Sequence, residues 1–372
     1  MKFVINKSQI VSVLAKVQGL AGRRSNLAIT ENILIRSGNG GIYLTATDLE
    51  TGFEGFYPAS VDKEGAIAVS AKKIFEILRE FPSDDILVNE IENRWIEIGS
   101  GKIQYHIVGM NPDDFPETPH INEVEFFAIE ASILQKMIAC TTIISAAGDE
   151  KRAHINGVFV ERMKKDEVSC FRFVSTDGSR LNVVDHIFDP LSIIPIDEGV
   201  LVPKKGLNEV AKFLDVEGEV QVGIKDSNFI VKKESETIII RMLEGEFPKY
   251  EDILKKGTDH FVNLDTIAFS KMLKRMSILA TDHYKGAVFT FDDNKLVVTA
   301  TNPDYGESKE ETEIEFTGAI VEAAFNPKYF LDTLSVIDDE KVIINIVDGN
   351  HPCIIEGDGD KTFTSVIMPM RI

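Results

Sequence analysis

The chain has 372 residues, 44% of them hydrophobic, and a formal net charge of −20; this suggests two or three globular domains. No run approaches the ~18 uninterrupted apolar residues of a membrane span, and the opening Met1-Lys2-Phe3-Val4-Ile5-Asn6-Lys7 has no signal-peptide pattern. The charge by itself favours solubility and argues against nucleic-acid binding, while three scattered cysteines, Cys140, Cys170 and Cys353, argue against a disulfide framework or zinc site and suit a reducing cytoplasm.

Taken in chain order, the elements recur three times. The first strand, Phe3-Val4-Ile5-Asn6, leads into a helix over residues 6–18. A β-rich run ends at Leu44-Thr45-Ala46-Thr47-Asp48, and a second helix follows over 71–81. The second repeat opens at Phe127-Ala128-Ile129-Glu130, with helices over 131–147 and 203–214 and a strand ending at Phe173-Val174-Ser175-Thr176-Asp177. The third opens at Val262-Asn263-Leu264-Asp265, with helices over 265–279 and 326–337 and a strand ending at Val298-Thr299-Ala300-Thr301-Asn302.

The columns Ile5/Ile129/Leu264, Ile10/Leu134/Phe269 and Leu14/Ile138/Leu273 align, and the last two lie four residues apart on one helix face. Asn6 and Asp265 are suited to cap their helices, and Pro203 and Pro327 sit where helices begin. Further strands include Trp95–Ile98, Thr237–Ile240 and Lys341–Ile346. The expected architecture is α+β, with three domains of about 120 residues, each carrying two helices and many strands.

The six helices hold thirteen Lys and Arg against five Asp and Glu, so they carry about +8 and the remainder about −28. Arg23-Arg24 and Lys151-Arg152 add basic loops. Such a chain can offer one positive side to phosphates, with contacts independent of base sequence.

Catalytic motifs are missing from the pattern. The histidines His106, His120, His154, His186, His260, His283 and His351 form no metal-ligand spacing. Gly38-Asn39-Gly40-Gly41 and Gly357-Asp358-Gly359-Asp360 fit hairpin turns better than a phosphate cradle or a calcium loop. Asp84-Asp85 and Asp292-Asp293 leave a nuclease or glycosidase as a competing reading, although adjacent carboxylates beside turns are more often solvated. No catalytic residue, metal or cofactor is expected.

At this point the chain resembles the β subunit of bacterial DNA polymerase III over essentially its whole length. The resemblance is carried by Leu44-Thr45-Ala46-Thr47-Asp48-Leu49-Glu50, Asp114-Phe115-Pro116, Asn156-Gly157 and Thr176-Asp177-Gly178-Ser179-Arg180-Leu181. Val202-Pro203-Lys204-Lys205-Gly206, Gly245-Glu246-Phe247-Pro248-Lys249-Tyr250 and the terminal Val366-Ile367-Met368-Pro369-Met370-Arg371-Ile372 add to it.

It implies three tandem copies of the DNA-clamp fold, at 1–124, 125–256 and 257–372, with two chains joined head to tail as a ring around duplex DNA. Twelve helices spaced ~9 Å apart make a circle about 34 Å across, leaving a bore of roughly 24 Å after helix thickness. The residues expected to face DNA are Arg24, Lys72, Lys73, Lys136, Arg152, Lys204, Lys205 and Lys274. The implied subunit interface joins Tyr105 and Ile107 to Ile278 and Leu279.

A partner-peptide pocket for the polymerase, the clamp loader and other replication and repair proteins would comprise Ile155, Thr176, Gly178, Arg180, Leu181, Pro248, Ile253, Val366, Met368, Pro369, Met370 and Arg371. Arg180 and Arg371 would supply donors to the peptide. Asp252 departs from the family, which often carries a basic residue there, and so does Pro352, where a small polar one is common. An acidic three-domain scaffold that does not encircle DNA is the alternative.

Overall fold

The computed structural model describes the chain except residues 22–26, 100–101, 120–122, 146–151, 166–167, 190–193, 216, 258–259, 282–283 and 372. It forms two compact units, Met1–Ser132 with Lys205–Met242, and Ile133–Lys204 with Leu243–Ile372. All strand pairs are antiparallel among the described residues.

Seven helices are described. These are α1 (Lys7–Ala21), α2 (Ala71–Glu80), α3 (Ala131–Thr142), the short α4 (Ala153–Asn156), α5 (Lys204–Phe213), α6 (Thr266–Met276) and α7 (Pro327–Leu334). The aligned columns are core positions: Ile5, Ile129 and Leu264 are buried, as are Ile10, Leu134 and Phe269, and Leu14, Ile138 and Leu273.

Local chemistry sets the helix starts. Asn6 Oδ1 accepts from the Ser8 N–H at 3.0 Å, and Asp265 Oδ1 from the Ala268 N–H at 2.7 Å. Pro327 is the first residue of α7, but Pro203 ends the Val200–Pro203 strand and α5 starts one residue later. The third helix stops at Thr142, short of the expected 147, because strand side chains take its last carbonyls. Ser175 Oγ donates to Thr141 O and Asn182 Nδ2 to Cys140 O, both at 2.7 Å. The sequence pattern gave no sign of α4.

The sheets carry the repeat across its boundaries. In the first unit an eight-stranded sheet joins Gly65–Ser70, Asn32–Gly38, Gly41–Thr47 and Thr51–Pro58 to Glu236–Arg241, Asn228–Lys233, Glu219–Lys225 and Phe126–Glu130. In the second unit the corresponding strands stand in the same order, Val200–Pro203, Gly157–Lys165, Val168–Thr176 and Arg180–Ile187 beside Phe363–Ile367, Cys353–Gly357, Lys341–Asn345 and Phe261–Asp265.

What remains are two half-sheets. In the first unit, Ser60–Lys63, Lys2–Asn6, Asp85–Glu90 and Trp95–Ile98 end at the edge strand Tyr105–Val108. In the second, Val321–Phe325, Ala287–Asp292 and Lys295–Asn302 end at the edge strand Gly306–Glu313.

The Thr-Asp turns repeat to the atom. Thr47 Oγ1 donates to Thr51 O at 3.0 Å, and Asp48 Oδ1 accepts from the Glu50 and Thr51 N–H groups at 3.1 and 2.8 Å. Thr176 Oγ1 donates to Arg180 O at 2.7 Å, and Asp177 Oδ1 accepts from the Ser179 and Arg180 N–H groups at 2.9 and 3.1 Å. The residue after the Asp has a left-handed backbone in both turns, with φ 77° at Leu49 and 89° at Gly178. The Gly38–Gly41 hairpin turns through Asn39 and Gly40, also at positive φ.

Leucine is the wrong residue for that position. Its left-handed conformation costs roughly 1–2 kcal/mol, against roughly 0.5–1 kcal/mol of extra chain entropy for glycine. Leu49 is 45% exposed, so little packing is lost on truncation. Leu49→Gly should raise the thermal midpoint, by about 0.5–1 kcal/mol of stability, and Gly178→Ala should lower it. A Leu49→Gly midpoint at or below the parent's contradicts this account.

Candidate functional site

In the second unit, the Thr176–Leu181 turn, the end of the Phe363–Ile367 strand and the segment around Pro248 enclose a cleft of about 180 Å³. Thr176, Gly178, Arg180, Leu181, Pro248, Ile253, Val366 and Met368 line it together with His154, Lys249 and Tyr250. Beneath it lies a cluster of Val174, Leu181, Val183, Tyr250, Ile354 and Val366, with Phe159, Phe247, Ile253 and Leu254 packed against it. The wall is mostly apolar, as a leucine- or phenylalanine-bearing ligand requires.

The chain end is strapped down. The Met368 N–H donates to Ser179 O at 2.9 Å, and the Met370 N–H to Ala324 O at 2.7 Å. These bonds hold an exposed Met368 at the cleft and an equally exposed Met370 beyond it. Ile155 is buried behind the wall. It, Pro369, Met370 and Arg371 are not among the cleft-lining residues, and Ile372 lies outside the described residues.

Arg180 lines the cleft and also has partners within the chain. It is buried, its Nη1 donates to Asp332 at 2.7 Å, its Nε to Asp177 at 3.1 Å, and its guanidinium lies 4.4 Å from the Tyr329 ring centre. It braces the turn against α7, and these groups take donors that a peptide was expected to use.

Tyr250, Lys249 and His154 escaped the sequence reading. Tyr250 is fixed from behind. Its hydroxyl donates to Glu161, and Arg172 Nη1 donates to it at 3.4 Å. Arg172 grips Asp185 through two bonds of 2.6 and 2.7 Å. Burial pushes the Glu161 carboxyl above its usual range despite Tyr250 and Arg172, and burial pushes the Tyr250 phenol up as well. The Phe247-Pro248-Lys249-Tyr250 run, just ahead of a helical turn, was the available signal.

The basic residues divide. Lys72, Lys73, Arg152 and Lys274 are exposed, with Lys73 2.9 Å from Glu76. Lys136 is paired with Asp360; burial opposes that carboxyl's charge, but the bonds from Lys136 and Thr362 outweigh it and hold its pKa low. Lys205 sits 2.7 Å from the buried Asp48. Lys204 overturns its expected role. It is buried and donates to Ile155 O at 2.7 Å, so it faces no phosphate. Arg24, like Arg23 and Lys151, lies outside the described residues.

Of the interface residues, Tyr105 lies on one open sheet edge, 43% exposed, with Ile107 partly buried beside it. Ile278 is 77% exposed, with Leu279 partly buried. Asp252 is exposed and pairs with Lys255 at 2.6 Å, which holds its carboxyl low. Among the described residues no group of His, Cys, Asp and Glu is arranged to hold a metal ion, and no helix is long and apolar enough to cross a membrane.

Models of three domains of one family match consecutive segments. The N-terminal domain of the DNA polymerase III beta subunit matches residues 1–119, its central domain 128–249 and its C-terminal domain 251–371. The chain belongs to the DNA polymerase III beta subunit family. Three tandem copies of the clamp fold, each with two long helices against antiparallel sheets, are therefore its architecture.

The beta sliding clamp of Salmonella typhimurium is 30% identical over 375 residues, with all of both chains covered. The crystal structure of the DNA polymerase III subunit beta from Pseudomonas aeruginosa superposes with a TM-score of 0.92 at 28% identity, again covering both chains fully. A sliding clamp from Bartonella birtlesii, solved bound to griselimycin, gives a TM-score of 0.92 at 26% identity and full coverage of both chains.

Lys204 makes this member's stability depend on pH. Burial lowers its pKa from 10.5 to about 8. Between those values the unfolded chain binds more protons than the folded one, so stability rises with pH across that window. Lys204→Met should flatten the rise between pH 8 and 10.5 by an amount on the order of 3 kcal/mol. Parallel urea titrations of both proteins measure it, and identical slopes would contradict the assignment.

Proposed function

We propose that two copies of this chain close head to tail into a ring around duplex DNA and tether the replicative polymerase and other replication and repair proteins to it. The chain is then a processivity factor with no chemistry of its own, working in the cytoplasm. We place the domains at 1–124, 125–256 and 257–372; the matched segments end and begin at 119/128 and 249/251, so the second junction of the matches falls a few residues earlier.

The pair of open half-sheets carries this reading. By repeat, Gly306–Glu313 corresponds to Thr51–Pro58 and Arg180–Ile187. Tyr105–Val108 corresponds to Glu236–Arg241 and Phe363–Ile367. Within the chain those partners are paired. Pairing Gly306–Glu313 of one copy with Tyr105–Val108 of the next completes the missing sheet twice in a dimer, so a head-to-tail contact closes. Ile278 and Leu279 would then bury against Tyr105 and Ile107. A scaffold that forms no ring leaves both edges bare.

Replacing Ile278 and Leu279 with Ala should remove roughly 1.5–3 kcal/mol of burial at each and give a monomer in sedimentation at micromolar concentration. A dimer of unchanged mass would place the interface elsewhere. Loaded clamp should stay on circular DNA and leave after linearisation, and charge reversal at Arg24 and Arg152 should shorten retention on the circle. Equal retention on both forms would exclude encirclement.

The 180 Å³ cleft is the docking point for partner peptides. The adaptable Met368 at its mouth suits varied leucine- and phenylalanine-bearing ligands. Deleting residues 368–372 should abolish binding of such a peptide in fluorescence anisotropy while ring mass stays unchanged. Undiminished affinity would move the site away from the chain end.

A further inference from the structure

The first unit holds a second cleft of the same design. The Thr47–Gly52 turn stands where Thr176–Leu181 stands, with the same hydrogen bonds. Strand register extends the match. Thr51 faces Ile240 as Arg180 faces Ile367, so Ile239 takes the place of Val366 and Arg241 that of Met368. Pro116 follows Phe115 as Pro248 follows Phe247. Thr47, Leu49, Gly52, Pro116, Ile239 and Arg241 all line this cleft, as their six counterparts line the other.

The chemistry has changed on a shared frame. Gly52 replaces Leu181, Thr118 replaces Tyr250 and Glu117 replaces Lys249, and the space grows to about 400 Å³. Glu50, Glu117 and Asp226 are exposed at its lining, against the single guanidinium of Arg241. Leu49, 45% exposed, leaves one apolar wall.

We propose that this is a second docking cleft, which takes an extended partner peptide carrying a lysine or arginine side chain. The proposal rests on the reading of the 180 Å³ cleft as a peptide site. The aliphatic stem of such a residue packs along Leu49 and its cationic head meets the carboxylates. Arg241 is placed to donate to a peptide carbonyl.

The test uses the full-length protein and two fluorescent probes in anisotropy at about 50 mM salt, where charge contacts are little screened. One probe is an extended alanine–threonine peptide with two lysines, the other a leucine–phenylalanine peptide. Gly52→Leu refills the cleft without altering charge, since a Cβ there lies 3.4 Å from Thr118 Cγ2, an ordinary contact. Both Gly52→Leu and the exposed Glu117→Lys should weaken the lysine probe about tenfold or more and leave the apolar probe unchanged. Deleting residues 368–372 should do the reverse.

No binding of the lysine probe, or binding indifferent to Gly52→Leu, overturns the proposal; the latter is diffuse attraction to an acidic chain. If Gly52→Leu fails to fold, Glu117→Lys decides in the same way. Failure of the first cleft has its own signature, an apolar probe that survives the deletion.

Discussion

The structure depends on strand pairing between repeats. Thr51–Pro58 takes Glu236–Arg241 as its neighbour, and Arg180–Ile187 takes Phe363–Ile367. No repeat completes its own sheets, so each leans on the backbone donors and acceptors of the next. The division into compact units follows from this. It falls inside the second repeat, at Ser132, Lys204 and Met242, because each eight-stranded sheet binds half of that repeat to a neighbour.

Much of this was legible in the amino-acid order. Helix-face columns such as Ile10, Leu134 and Phe269 are a one-dimensional record of burial, and the Thr-Asp turns announce themselves because only a few side chains can close them. The joins between repeats were not legible, since strand partners far apart in sequence leave no local mark. The basic residues were legible only as a count. Lys204 carries the same symbol as Lys72, but one lies under Ile155 O and the other in solvent. Pro203 likewise marks a boundary without saying on which side of it the helix lies.

The cleft shows the same limit at finer scale. Its apolar wall follows from residue type, but the role of Arg180 follows from what surrounds it. Two carboxylates and an aromatic face hold it in place, so it stiffens one wall of the cleft. Glu161, Arg172 and Asp185 do the same for Tyr250 from the other side. A rigid frame with the flexible Met368 at its mouth separates preorganisation from adaptability.

The Gly306–Glu313 strand has a consequence before any assembly exists. A newly made chain must carry this bare edge through the crowded interval before it meets a second copy, and bare edges seed aggregates. Four glutamates in eight residues line it. Stacks of the same strand would set those charges against one another, so the edge is shielded from its own kind.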